Sequence, residues 1–201
     1  LKKLVFYSSR FFLNIMDFKL ILAPIEAMTD IAFRALCYKH GADLTFTEMA
    51  KIEALADNNL NTLKKIEIPD DTPTVIQLIG NKEDKLELFL KDFKKTKGFA
   101  GFNINLGCPN PDVVRLGHGC AMIKRVSKVQ RMISIIKSKG YPVSIKMRLG
   151  MNQYEKEKKV YLTLIKETDA DFYVVHARHG KQIYTEPADF SVYENCVKTG
   201  K

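Results

Sequence analysis

From residue 18 to the end, short runs rich in β-branched and aromatic residues alternate with stretches of helical periodicity. Strand patterns fall at 19–23, 43–47, 74–79, 101–106, 143–147 and 172–175, and helical patterns at 31–40, 52–63, 82–95, 128–138 and 155–168. Six strand signals separated by helices point to crossover connections, because parallel neighbours cannot be joined by a tight turn. A parallel sheet covered by helices is therefore expected. The stretch 82–95 shows the helical period most clearly, with Leu86, Phe89, Leu90 and Phe93 on one apolar stripe. Asn81 is its expected N-cap and Gly98 its stop signal. Pro73 and Pro142 each stand immediately before a strand pattern, where a missing N–H is tolerated.

An open doubly wound sheet and a (β/α)8 barrel begin in the same way, and motif placement separates them. The first strand-to-helix loop, residues 24–30, has no GxGxxG, so the phosphate-cradling turn of a dinucleotide fold is missing. Polar residues instead recur at or just beyond the C-terminal ends of successive strands: Glu26, Glu48, Gln77, Asn103, Asn105, Cys108, Lys146, Arg148, His176 and Arg178. Chemistry gathered at one end of many parallel strands is the arrangement of a barrel's active face. The expected fold class is α/β, a TIM (β/α)8 barrel truncated after about the sixth strand, since closure takes eight strands in typically about 250 residues. Residues 18–201 would then be a partial barrel domain lacking its last two βα units. Its open strand edges would make it poorly soluble alone.

A surplus of 32 Lys and Arg over 23 Asp and Glu gives a net charge of +9, which favours polyanionic partners, nucleic acid first. The four cysteines, Cys37, Cys108, Cys120 and Cys196, form no CxxC pair and so suggest neither a zinc site nor a disulfide framework. A reducing, cytoplasmic setting is expected. His40, His118 and His179 show no metal-ligand spacing, and no apolar run reaches the roughly 18 residues of a membrane span. Neither a metal nor a membrane partner is expected. Residues 1–17 combine aromatics with Lys2, Lys3 and Arg10, but Arg10 interrupts any signal-peptide core and no small-residue cleavage site follows. With Met16 directly before the first strand pattern, this stretch reads as a translated upstream extension.

Asn103-Ile104-Asn105-Leu106-Gly107-Cys108-Pro109 is the sharpest local signal. Strand geometry sends Asn103 and Asn105 to one face, and Phe102, Ile104 and Leu106 to the other. Two amides on a buried face need polar partners. Gly107 is expected to permit a tight turn, and Pro109 to stiffen the loop that presents Cys108. A cysteine in a turn can be a small buried hydrophobe, but the strand-end position and the paired asparagines favour a functional thiol. Lys146 and Arg148 stand two apart in SIKMR, and either emerge into solvent or reach an anion or electron-rich edge. That segment alone leaves both readings open. His176 and Gln77, each closing an apolar strand, are compatible with a structural or a ligand-facing role. Cys37, Cys120 and Cys196 read as structural, and His40 as a partner of a helix dipole.

Together these segments resemble the dihydrouridine synthase family. The matching stretches run from Ala23-Pro24 through Thr29-Asp30 with Phe33-Arg34, and from Gly41-Ala42 to Thr47-Glu48-Met49. They continue with Gln77-Leu78-Ile79-Gly80, the Asn103-to-Pro109 run, residues 117–122 and Ile145-Lys146-Met147-Arg148-Leu149-Gly150. His176-Ala177-Arg178, then Tyr184 with Ala188, complete the series in family order. The resemblance implies an FMN-containing TIM barrel followed by a small helical domain that helps hold tRNA. It implies that Pro24, Ile25 and Glu26 line the flavin, and that Gln77, Lys146 and His176 contact its ring or ribityl side. Cys108 matches the catalytic cysteine, while Asn105, Arg148 and Arg178 match substrate-binding positions. Ile25 and Glu26 depart from the family's usual Met and small residue, so a contact from Glu26 is expected through its backbone. His176-Ala177-Arg178 stands for the commoner His-Gly-Arg, which leaves both flanking roles intact.

The implied activity is reduction of specific tRNA uridines to 5,6-dihydrouridine, with hydride from reduced FMN, a proton from Cys108 and NADPH as reductant. A thiol near its ordinary pKa of about 8.5 is mostly protonated at neutral pH and can act as that general acid. The target base has to leave its stack, and Arg115 and Lys124 near the catalytic loop are expected to bind phosphates. Two other readings share the fold. One is an FMN barrel acting on a small molecule, in the manner of dihydroorotate dehydrogenase, and the other is a catalytically inactive RNA-binding fragment. Activity on tRNA but not on free pyrimidines separates the first, and flavin content separates the second.

Overall fold

The computed structural model describes residues 20–201. The expected extension over residues 1–17, Met16, and Lys19 at the head of the first strand pattern lie outside the described residues. The first half of the chain contains β1 (Ile21–Leu22), α1 (Ile31–Lys39), β2 (Leu44–Phe46), β3 (Ala50–Lys51), α2 (Ile52–Ala56), α3 (Leu60–Lys65), β4 (Thr74–Ile79) and α4 (Glu83–Asp92). The second half contains β5 (Phe99–Leu106), α5 (Pro111–Arg115), a 3₁₀ turn (Gly119–Met122), α6 (Val126–Ser138), β6 (Val143–Met147), α7 (Gln153–Glu157), α8 (Val160–Glu167), β7 (Phe172–Val175) and α9 (Val192–Val197).

Every pairing is parallel, in the order β1-β2-β4-β5-β6-β7. The short β3 also pairs with β4, through Ala50 and Lys51 opposite Leu78 and Ile79, where β2 no longer reaches. Thus β2 and β3 share one position, and the sheet has six neighbouring positions in chain order. This is the arc of a (β/α)8 barrel, curved and covered by helices on its outer side.

The strands predicted at 74–79, 143–147 and 172–175 form over those residues, and β5 begins two residues earlier than the predicted 101. The helical pattern at 52–63 is two helices, because Asn58 adopts a left-handed φ of 55° and the Asn59 side chain accepts from the Thr62 N–H to start α3. Likewise 155–168 divides into α7 and α8 at Lys159, with φ 54°. Asn81 does not cap α4. Lys82 stands at that position without a side-chain bond, while Asn81 Nδ2 bridges to the Leu116 and Gly117 carbonyls at 3.2 and 3.3 Å. Nor does Gly98 stop the helix, which already ends at Asp92.

The main core lies between the sheet and its helices. Ile76 and Leu78 of β4, Phe102, Ile104 and Leu106 of β5, and Val143, Ile145 and Met147 of β6 pack against α4, α6 and α8. Each such side chain contributes about 1.5–3 kcal/mol on burial. Phe93, Phe99, Phe102 and Tyr141 add edge-to-face and tilted ring contacts at 5.0–5.6 Å. Among the described residues, the inner, concave side holds a small apolar cluster of Leu44, Phe46 and Val75, with Ala100 and Phe172 against it. Toward the C-terminal strand ends that side becomes polar. Among the described residues, no helix is long and apolar enough to cross a membrane.

Candidate active site

Strand register decides which polar side chains meet. Gln77 pairs with Asn103, Asn103 with Ser144, and Asn105 with Lys146. Paired residues share a face, so β4, β5 and β6 present these groups inward. They bond in a single chain. Gln77 Nε2 donates to Asn103 Oδ1 at 2.8 Å, Asn103 Nδ2 donates to Ser144 Oγ at 2.9 Å, and Asn105 Nδ2 donates to Gln77 Oε1 at 2.9 Å. Asn103 and Ser144 are fully buried, yet no buried side-chain N or O among the described residues lacks a partner.

The chain of amides ends at the Cys108 loop. Asn105 Oδ1 accepts from the N–H groups of Gly107 and Cys108 at 3.0 and 2.9 Å. This bond pair forms the turn that Gly107 was expected to permit. Gly107 has no left-handed φ, and a Cβ there would meet the Met147 backbone at an ordinary 3.5 Å. The glycine that geometry requires is Gly119, with φ +55°, where a Cβ would lie 2.5 Å from the Cys108 carbonyl oxygen. Next to it, the Cys120 N–H donates to that same carbonyl at 3.0 Å. Burial pushes the Cys120 thiol up to about 12, as suits a structural cysteine.

The first loop is fixed from below. Glu48 accepts from the Ala27 N–H at 2.6 Å, where Ala27 takes a left-handed φ of 61°. Lys65 pairs with Glu26 and lies 3.8 Å from Glu48. The salt bridge engages the Glu26 side chain itself, beyond the backbone role expected of this residue.

Pro24, Glu26, Gln77, Asn105, Cys108, Lys146, Arg148 and His176 line one cleft of 170 Å³, together with Met49, Gly107, Pro109 and Tyr184. The cleft shares Glu26 and Met49 with a neighbouring cavity of 350 Å³. Ile25 is turned outward, and its carbonyl accepts from the Met28 and Thr29 N–H groups. Arg178 also stands outside the lining. Its guanidinium donates to the Glu186 and Tyr184 carbonyls at 2.8 and 3.3 Å and meets His176 Nε2 at 3.1 Å. It braces the loop that brings Tyr184 to the cleft.

Charge accumulates around the opening. Burial, with Arg148, Lys146 and Arg178 nearby, holds His176 down to about 4, so the ring is neutral at ordinary pH. Its Nε2 takes the Arg178 N–H, which leaves the ring proton on Nδ1. Tyr184 stacks on this ring at 6.3 Å and 20°. Burial, and secondarily Arg148, lowers the Lys146 pKa. No salt bridge joins Lys146 to a carboxylate among the described residues. The buried Arg148 donates to the His179 and Gln182 carbonyls at 2.9 and 3.3 Å, and its guanidinium lies 6.0 Å from the Tyr184 ring.

Asn103 and Ser144 support the site without lining it. Asn103 was visible as a paired amide, but Ser144 carries no local signal and emerges only from the β5–β6 register. A cavity of 680 Å³ is larger than the cleft, but it lies on the helix side of β4 among Leu55, Ile66 and Phe89, away from the polar strand ends. Among the described residues, no group of three His, Cys, Asp or Glu side chains is placed to hold a metal ion.

The profile of the dihydrouridine synthase family matches residues 21–195. A mouse protein named tRNA-dihydrouridine(47) synthase, NAD(P)(+)-like, is 28% identical over 182 residues, covering 90% of this chain and 29% of the relative. A Helicobacter pylori protein described as a probable tRNA-dihydrouridine synthase is 29% identical over 170 residues, covering 81% of this chain and 51% of the relative. A Bacillus subtilis protein described as probable tRNA-dihydrouridine synthase 2 is 32% identical over 165 residues, covering 79% and 49%. The chain spans about half the length of these bacterial relatives and less of the mouse one.

Proposed function

The chain belongs to the dihydrouridine synthase family, and on that footing we propose that the intact protein reduces uridine in tRNA to 5,6-dihydrouridine with FMN, using NADPH as reductant. One observation carries the reading. Gln77, Asn105, Lys146 and Cys108 share a cleft in which both amide oxygens are already accepting hydrogen bonds. Both Asn105 N–H groups are engaged, by Gln77 Oε1 and Met49 Sδ, so what the set offers a ligand is the second Gln77 N–H, the remaining lone pair of Gln77 Oε1, the Lys146 ammonium and the Cys108 thiol. That complements a flat ring bearing carbonyl oxygens and ring nitrogens, as isoalloxazine and uracil both are. The residues therefore fit FMN, with Gln77, Lys146 and His176 as ring or ribityl contacts and Pro24 and Glu26 contributing backbone. Ile25, whose N–H and carbonyl are both engaged within its own loop, shapes that loop from outside the cleft.

When bound and reduced, FMN supplies hydride for C6 of the uracil. Cys108 holds the proton destined for C5 on its Sγ, on a loop gripped by Asn105 and Cys120. Lys146 donates toward the side of the ring where negative charge gathers, in a site that burial makes less polar than water. Arg148 and Asn105 orient the base. Arg178 acts one step back, by holding the Tyr184 loop. The base has to be extracted from its stack to enter, and the net charge of +9 supports phosphate contacts along the RNA. Four free cysteines are in keeping with a reducing, cytoplasmic setting.

Full-length protein should purify with non-covalent FMN and form dihydrouridine in tRNA, detected by mass spectrometry, while leaving free pyrimidines untouched. Cys108→Ala should retain flavin and NADPH oxidation but lose roughly 10²-fold or more in dihydrouridine formation, the range for a lost general acid. Colourless protein that takes up no FMN, or a near-normal Cys108→Ala enzyme, would sink the proposal.

A further inference from the structure

The amide chain behind the cleft has a direction, and its far end is a residue with no contact to the cleft. At that end stands the Phe102 carbonyl, which can only accept. Ser144 Oγ donates to it at 3.3 Å, so its lone pair is what remains for Asn103. Asn103 must therefore offer Nδ2, as it does at 2.9 Å, and its Oδ1 turns to Gln77 Nε2. Gln77 in turn must offer Oε1 to Asn105 Nδ2. At the near end the Gly107 and Cys108 N–H groups can only donate, and they meet Asn105 Oδ1. Both ends demand the same orientation of all three amides, and a reversal of any one would set like groups against each other in a buried site.

We propose that Ser144 is a positioning residue for Cys108, acting through Asn103, Gln77 and Asn105 to hold the Asn105 oxygen against the Gly107 and Cys108 amides. Its hydroxyl closes the chain at a point where no ligand reaches. Removing it strands the Asn103 N–H in a fully buried place. Asn103 then loses its fixed end, and Gln77 and Asn105, which are bonded in series to it, hold the Asn105 oxygen less firmly against the Gly107 and Cys108 amides. A hydroxyl, not the particular volume of serine, is what the position requires. The significance for turnover rests on the proposed role of the Cys108 thiol, but the coupling itself does not.

Peptide-resolved hydrogen exchange on the full-length protein reads the coupling directly. Pro109 carries no amide proton, so the segment 107–109 reports Gly107 and Cys108 alone. Ser144→Ala should accelerate exchange there on the order of tenfold, as for the loss of about one buried hydrogen bond. The strand interior of β5 should keep its protection. Ser144→Thr, which retains the hydroxyl, should restore the parental rate. In tRNA turnover Ser144→Ala should lower kcat and leave KM unchanged. Parental exchange at 107–109 in Ser144→Ala, or an equal rise in Ser144→Thr, would each overturn the assignment, whereas an unchanged kcat beside faster exchange would overturn the role of the Cys108 thiol in turnover. If Ser144→Ala does not fold, Gln77→Met breaks the same chain at its middle. Faster exchange at 107–109 in that variant supports the coupling, and the parental rate refutes it. Because exchange needs no turnover, failure of this coupling and failure of the uridine-reducing reading are distinguishable.

Discussion

Phe102 and Asn103 are neighbours on β5, both essentially inaccessible to solvent, and they face opposite sides of the sheet. Phe102 lies among the aromatic rings of the outer core, where Phe89, Phe93, Phe99 and Tyr141 surround it at 5.0–6.1 Å. Asn103 lies among directed bonds to Gln77 and Ser144. The outer face is held by non-directional packing, in which many arrangements of similar volume serve nearly as well. The inner face is held by bonds that have one consistent arrangement. Stability and site geometry are thus separated by the thickness of a single strand.

The largest effect should come from the outer face. Phe102→Ala should lower stability by about 3–5 kcal/mol in urea denaturation of the full-length protein, while amide protection at Gly107 and Cys108 survives in the folded state. Loss of that protection along with the aromatic core would show that the two faces are not independent. Asn103→Leu, close in volume, should cost less, about 1–3 kcal/mol, because Gln77 Nε2 loses its acceptor and Ser144 Oγ loses the donor it accepts from, keeping only its bond to the Phe102 carbonyl. Its effect on dihydrouridine formation should nevertheless exceed that of Phe102→Ala when both are assayed folded. Equal activities would reduce the inner face to mere packing.

The smallest effect is a pH dependence of the inner face. His176 titrates at about 4 in the folded protein, against an ordinary 6.5. As pH falls the unfolded chain takes up this proton first, so the stability associated with a neutral His176 is complete above 6.5 and is lost as pH drops toward 4. Denaturation at pH 7 and pH 5 should show His176→Gln losing less stability between the two than the parent. The same difference in both proteins would place the titration elsewhere.

Much of the arc was legible because β4, β6 and β7 are short runs rich in β-branched and apolar residues between helical stretches, and the strands form where those runs fall. The breaks in the helices were not. Asn58 and Lys159 take left-handed backbone without being glycine, and Lys159 has no side-chain signature for it. Asn81 looked like a cap because it precedes a helix, but its amide serves a loop 35 residues away. At the site, residue type and strand-end position were enough to nominate the lining from Gln77 to His176. They could not assign Arg178 to the bracing of a loop, since Glu186 and Tyr184 offer it backbone carbonyls that no sequence pattern marks. The role of Ser144 depends on register, which sets it beside Asn103 across 41 residues of chain.

The amide chain has one more consequence, for the traffic of protons. A file of waters or hydroxyls passes a proton along because each member can release one as it receives another. Carboxamides such as Asn103, Gln77 and Asn105 do neither at ordinary pH. The wall behind Cys108 therefore holds shape but insulates. Whatever proton the Cys108 thiol exchanges does not travel along these three amides.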